Sequence, residues 1–176
     1  IVTLEDPVEY QLPGLNQGQG HPEIGFDFSA GLRSIVRQDP DVIMVGEIRD
    51  QVTCQIAMQA ALTGHLVFST VHTNDAPSAY TRLLDLGVEE FLLDAALGSI
   101  IAQRLVRKLC EKCSMPAPGA TTLIDQYQLV GLAERAGVEH MDLRAPVGCE
   151  HCGGTGYSGR VAVIEYLRCD ESIRSI

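Results

Sequence analysis

The stretch Arg37-Gln38-Asp39-Pro40-Asp41-Val42-Ile43-Met44-Val45-Gly46-Glu47-Ile48-Arg49-Asp50 constrains the fold more than any other. Residues 42–45 are uninterruptedly apolar and end at a glycine, which suits a short strand buried on both faces. Asp39-Pro40-Asp41 stops whatever precedes it, because the residue before a proline is pushed out of the α region. Gly46 lets the backbone turn, so Glu47 emerges at the strand's C-terminal end. Strands buried on both faces belong to parallel sheets covered by helices. In such sheets ligands bind at the C-terminal edge, and an acidic residue held there is a common way to fix a hydrated Mg²⁺ beside a nucleoside triphosphate. The plainer alternative is a parallel strand followed by a polar turn.

Composition narrows the classes. Hydrophobic residues make up 45 % of the 176, while aromatics are only 5 % and Trp is absent, so the core is aliphatic. No apolar run approaches the roughly 18 residues of a membrane span, and no secretory signal pattern opens the chain. The formal net charge of −10 speaks against a duplex-DNA footprint. The chain opens on Ile1, not Met, with residues 1–4 already reading as a strand, and a fragment of a longer protein is expected.

Residues 3–10, Thr-Leu-Glu-Asp-Pro-Val-Glu-Tyr, end that first strand and gather Glu5, Asp6 and Glu9 around a proline stop. Such a cluster suits water activation or metal binding, or else a solvated turn. Residues 11–28 are rich in Gly and Pro and read as a long irregular loop. Ser29 is the candidate cap of a helix over 30–38 with Leu32, Ile35 and Val36 on one face. Arg33 and Arg37 lie four apart on another, either solvated or set toward a phosphate or a neighbouring subunit. Asp50 caps a helix over about 51–63, stopped by Gly64. A second buried strand is expected over 66–71, with His65 at its entry and His72 at its exit. On a regular strand these histidines lie about 23 Å apart and cannot share a metal. Asp75 caps a helix over about 76–86, with Pro77 in its first turn and Gly87 after it. Residues 89–109 are apolar, with Arg104, Arg107 and Lys108 at helical spacing.

Four of the six cysteines form two Cys-x-x-Cys pairs, Cys110 with Cys113 and Cys149 with Cys152. Without a secretory signal, metal binding outranks disulfides. Two such knuckles complete a tetrahedral Zn²⁺ site. Residues 114–148 exceed the roughly 15–20 of a compact zinc ribbon, so the ion would tie together the ends of a subdomain containing a helix over 123–136. A glycine-rich return loop then leads into a strand over 161–167 that is expected to rejoin the sheet.

Together these pieces resemble the secretion and pilus-assembly ATPases, the family of the type II secretion and type IV pilus extension motors. Thr3-Leu4-Glu5-Asp6-Pro7-Val8-Glu9 resembles the family's Asp box. Residues 32–50, with Gly46-Glu47-Ile48-Arg49-Asp50, resemble its glutamate-bearing Walker B box. Residues 63–74, with Thr63-Gly64-His65 and His72-Thr73-Asn74, resemble its His box. The two cysteine pairs followed by Thr-Gly-Tyr-Ser-Gly-Arg resemble the zinc subdomain of assembly members, which retraction members generally lack. The resemblance implies an α/β, RecA-like P-loop core over residues 1–109, a tetracysteine zinc subdomain over 110–152, and a return strand and C-terminal segment over 153–176. It implies that Glu47 holds Mg²⁺ through water, that Glu5 or Glu9 acts on the attacking water, and that His72 and less directly His65 sense the γ-phosphate of ATP. Asp6 and Arg49 border the nucleotide site, Arg49 and Asp50 bracing the Walker B turn. It further implies a cytoplasmic homo-hexamer that works against an inner-membrane platform, with no direct nucleic-acid contact.

One departure matters. No Gly-x-x-x-x-Gly-Lys-[Ser/Thr] loop and no Gly-Lys dipeptide occur in the chain. The phosphate-cradling lysine and a central strand are therefore expected to be missing, and ATP turnover by these residues alone is expected to be weak or nil. Two other classes fit parts of the sequence. A zinc-knuckle interaction module would use the cysteine pairs, whose Cys-x-x-Cys-x-Gly-x-Gly piece resembles J-protein zinc repeats in a single copy. A DNA-uptake or conjugation motor would share the α/β core, though the acidic balance opposes direct DNA contact.

Overall fold

The computed structural model describes residues 1–170, which form two compact units, one of residues 1–103 with 164–170, the other of Arg104–Val163. In the first unit β1 (Val2–Glu5), β2 (Asn16–Gln19), β3 (Val42–Val45) and β4 (Leu66–Ser69) build an all-parallel sheet in the order β2-β1-β3-β4. Leu4 stands opposite Val45, and Val45 opposite Ser69. The C-terminal ends of β1, β3 and β4 therefore reach one common edge. Ile43 and Val45 are fully buried, as the apolar run requires. β4 departs from expectation. It ends at Ser69, and as the outer strand it leaves Leu66 and Phe68 more than half exposed. The four strands are contiguous, so the gap expected for a missing central strand does not lie between them, and β2 and β4 are the outer strands.

Three helices begin on aspartates. α1 (Phe28–Val36), α2 (Gln51–Leu62) and α3 (Ala76–Asp85) are capped by Asp27, Asp50 and Asp75, each accepting a backbone N–H three residues on at 2.8 Å. Such a bond satisfies one of a helix's orphan donors. Ser29 is not the cap of α1. It sits inside the helix and donates to Asp27 at 2.9 Å, so α1 begins earlier than its own sequence signal suggested. Gly64 and Gly87 follow α2 and α3 with positive φ, as C-terminal stops should. Leu4, Leu32, Ile43, Val45, Cys54 and Leu93, all fully buried, lie at the heart of an aliphatic core.

Three expectations fail here. The loop over 11–28 contains β2, whose Asn-Gln-Gly-Gln sequence carries no apolar residue; it pairs because the adjacent edge of β1 is open to it. The helical reading of 89–109 holds only for α4 (Glu90–Ala96). After Gly98 the chain extends as β5 (Ser99–Leu109), where β-branched Ile100, Ile101 and Val106 favour the strand. Arg104 and Lys108 thus share one side of a strand and Arg107 takes the other. The guanidinium of Arg107 stacks 4.0 Å from the Tyr157 ring centroid. The return strand β8 (Tyr157–Arg168) pairs with β5 and does not rejoin the four-stranded sheet.

The second unit also holds a small antiparallel pair, β6 (Met115–Pro116) with β7 (Arg144–Ala145), and two short helices, α5 (Ala120–Gln126) and α6 (Leu129–Ala136). The single helix expected over 123–136 is broken at Gln128, which has φ of 50°. No helix among the described residues is long and apolar enough to cross a membrane.

Candidate functional site

Glu47 follows β3 through Gly46, where β1 and β3 run so close that a Cβ would meet Leu4 O at 3.2 Å and Glu5 Cα at 3.4 Å. The Gly46 N–H donates to Leu4 O at 2.7 Å, locking the turn to β1. Thr70 Oγ1 donates to Gly46 O at 2.7 Å, and Ile48 N to Thr70 O at 3.0 Å, locking it to the end of β4. The Glu47 side chain is only 12 % exposed, and both its oxygens are engaged: Arg49 reaches Oε1 and His72 Nε2 lies 3.1 Å from Oε2. The Arg49 hydrogen bond and charge, with a smaller contribution from His72, hold the Glu47 carboxyl below the usual range against the opposing pull of burial. An ionised carboxylate only accepts hydrogen bonds, so His72 carries its hydrogen on Nε2. Burial of one carboxylate beneath two exposed cationic or donor groups gives a site able to exchange those partners for a hydrated cation.

Glu5 ends β1 at the same edge. Its Oε1 accepts from Thr3 Oγ1 at 2.5 Å and from Gln17 Nε2 at 3.0 Å. Asp6 and Arg49 line a cavity of about 170 Å³ together with Gly20, Asp27, Phe28 and Asp50. The negative charge of Asp6 helps to raise the Arg49 pKa, after the larger effects of Glu47. Glu9 lies beyond β1 in an exposed segment. His65 is at the opposite edge of the sheet from His72, since β4 runs between them. Its Nδ1 hydrogen bonds to Ala60 O at 3.0 Å, while the buried Nε2 has no hydrogen-bond partner and stands 4.0 Å from Asp39 Oδ1. The geometry thus gathers Glu47, Arg49 and His72, with Glu5 and Asp6 along the same edge, and leaves His65 apart.

Two participants were not foreseen. Gln17 bridges Glu5 and Tyr10 O from β2, with no signal beyond a polar residue in a loop. Glu165 accepts the Ala76 N–H at 2.9 Å, at the start of α3. Its signal was visible: a single carboxylate inside the apolar run of residues 161–167.

In the second unit Cys110, Cys113, Cys149 and Cys152 place their sulfurs within 4.8 Å of one another. The Cys110–Cys149 and Cys113–Cys152 separations are 3.9 Å, and Cys149–Cys152 is 3.8 Å. A tetrahedron of thiolates about 2.3 Å from zinc has edges of about 3.8 Å, so the donor set fits that ion. Backbone N–H groups of Cys149 and Gly156 point at Cys152 Sγ, both at 3.2 Å, and Gly148 N–H at Cys113 Sγ at 3.4 Å. The Cys149 and Gly156 N–H groups lower the Cys152 thiol to about 6. Loss of solvent pushes Cys113 up to about 11.

The sequence profile of the family described as "Type II/IV secretion system protein" matches residues 1–176. The chain belongs to the type II/IV secretion system protein family. Among its relatives, the type IV pilus assembly ATPase PilB of Thermus thermophilus is 53 % identical over 98 % of this chain. The putative type II secretion system protein E of Escherichia coli is 50 % identical over 99 %. The chain spans 19 % and 34 % of the length of these two relatives. Among solved structures, that of the pilus retraction motor PilT with bound ADP is 30 % identical, with a TM-score of 0.65 over 99 % of this chain and 40 % of that one. The Legionella pneumophila ATPase DotB, 24 % identical with a TM-score of 0.61 over 99 % of this chain and 38 % of its own, shares the fold. The secretion-family fold is thus an α/β fold with a parallel sheet, and members of the family are ATPases of secretion and pilus machines.

Proposed function

We propose that this chain forms part of the RecA-like core of a motor ATPase that drives pilus or pseudopilus assembly. In this reading it works as a cytoplasmic homo-hexamer against an inner-membrane platform. The observation that carries the reading is that Arg49, from the same box, and His72, from a box 25 residues on, both engage the Glu47 carboxylate at the C-terminal edge of a parallel sheet. That edge is where nucleotides bind in open α/β sheets.

Glu47 would hold a hydrated Mg²⁺ and Glu5 would face the attacking water as proton acceptor. Glu5 is favoured over Glu9 because it stands beside Gly46 at the end of β1. Bound Mg²⁺ and ATP would supply charge neutralisation and the phosphoryl group to be transferred to water. His72 would exchange its bond to Glu47 for one to phosphate, so its position would report nucleotide state. Arg49, between Glu47 and Asp6, would keep the buried carboxylate ionised. Cys110, Cys113, Cys149 and Cys152 would hold a structural Zn²⁺, which would tie residues 114–148 into the second unit.

The test is ATP hydrolysis by a protein joining this chain to a Gly-x-x-x-x-Gly-Lys-Ser loop. Mg²⁺-dependent turnover that falls about a hundredfold or more in Glu47→Gln is expected, while the 176 residues alone show none. Turnover unaffected by Glu47→Gln would overturn the assignment. Salt-sensitive DNA binding would favour a nucleic-acid motor instead.

A further inference from the structure

His72 is 88 % exposed at its side chain, so packing does not hold it over Glu47. Its position depends on the backbone to either side. On the N-terminal side the end of β4 is bonded to the Glu47 turn through Thr70. On the C-terminal side the chain enters α3 at Ala76, which is fully buried, and the Ala76 N–H donates to Glu165 Oε2 at 2.9 Å. Asp75 caps the same helix through Ser78, so two carboxylates of different origin serve its first turn. Ala76 stands only four residues on from His72, and between them Thr73 Oγ1 donates to Asp75 O at 3.2 Å, so the segment is tied internally and carries a shift of Ala76 toward the ring. Glu165 belongs to β8, the strand that follows the tetracysteine cluster in sequence.

We propose that Glu165 is a positioning residue for His72, holding the far end of residues 72–76 so that the imidazole stays on Glu47. The role rests on the functional reading above, in which His72 reports nucleotide state. It extends that reading to a residue on β8, outside the boxes that supply Glu47 and His72. Its logic is that of a strut. Glu165 adds to the buried Ala76, Ala79 and Leu83 in holding the start of α3, the Thr73–Asp75 bond holds the loop, and the loop carries the exposed ring. The carboxylate is suited to this, because a charged acceptor at a helix N-terminus gains from both the free N–H and the helix dipole.

The test uses the 176-residue chain without nucleotide, read by ¹⁵N resonances of the His72 ring and hydrogen exchange of the Ala76 amide. Glu47→Ala gives the full shift expected when the ring loses its partner. Glu165→Ala is expected to move the His72 nitrogens by at least half of that shift and to speed Ala76 exchange about tenfold or more. Glu165→Gln, which keeps an acceptor, is expected to restore most of both, and Glu111→Gln to change neither. A wild-type His72 spectrum in Glu165→Ala, with Ala76 exchange accelerated, would overturn the strut. Should Glu165→Ala fail to fold by circular dichroism, Glu165→Gln decides: a weakened Ala76 bond with no movement of the ring overturns it equally. These readouts need no turnover, so absence of ATP hydrolysis by the protein joined to the Gly-x-x-x-x-Gly-Lys-Ser loop would defeat the motor assignment while leaving the strut standing.

Discussion

The metal site offers a sharp test, because two nearby glycines share a backbone conformation but not a surrounding. Gly153 and Gly156 both have positive φ, 61° and 76°, so alanine at either incurs the left-handed penalty of about 1–2 kcal/mol. At Gly153 an added Cβ meets nothing within 4 Å. At Gly156 it would stand 2.5 Å from Pro146 Cβ, 3.0 Å from Pro146 Cα and 3.1 Å from Val147 N. A proline ring cannot swing aside, so the backbone must move, at a cost of about 1–3 kcal/mol. That backbone carries the site: Gly156 N–H points at Cys152 Sγ and Gly156 O accepts from Cys110 N at 2.9 Å. Without metal the loop can relax; with metal it cannot, so the extra cost falls on the bound form. Gly156→Ala should therefore bind zinc about 30-fold more weakly than Gly153→Ala, the equivalent of about 2 kcal/mol. Competition with a chromogenic chelator measures the ratio, and Co²⁺ absorption checks that four thiolates remain bound. Equal affinities in the two variants would refute the steric argument, and absence of stoichiometric zinc in the wild type would refute the site.

Three further outcomes follow from other parts of the molecule. Asp50→Ala removes the cap of α2 and the 2.8 Å bond to the buried Thr53 hydroxyl; a loss of about 1 kcal/mol and a Tm lower by about 2–4 °C are expected by thermal melting. The Glu47 carboxyl is held below its ordinary 4.5 chiefly by Arg49, so its contribution is present above that pH and is lost as pH falls through the folded value. Denaturant unfolding should show Glu47→Gln less stable than wild type at neutral pH, with the gap closing in acid; a gap that widens in acid would contradict the pairing. Burial, reinforced by the charge of Asp50, pushes the Cys54 thiol up to about 11; alkylation at pH 8 should therefore proceed only on unfolding, and rapid labelling of the native chain would show that α2 opens.

What the sequence determined unaided is what short-range chemistry writes into it. The β3 run with its proline stop and glycine exit, the aspartate caps of α2 and α3, and the glycines that end those helices each depend on a few adjacent residues. The two Cys-x-x-Cys pairs are legible for the same reason, because metal-ligand spacing is local within each knuckle. What only the tertiary structure decided is pairing. Polar Asn16–Gln19 became a strand because β1 offered an open edge, and Ser99–Leu109 became a strand because β8 was there to receive it. The reach of Glu165 to Ala76 likewise follows from the return of a strand 89 residues away, whereas the separation of His65 from His72 was already set by the length of one strand. Backbone hydrogen bonds between distant segments are satisfied by whichever neighbour the fold supplies, and no local window of sequence names that neighbour.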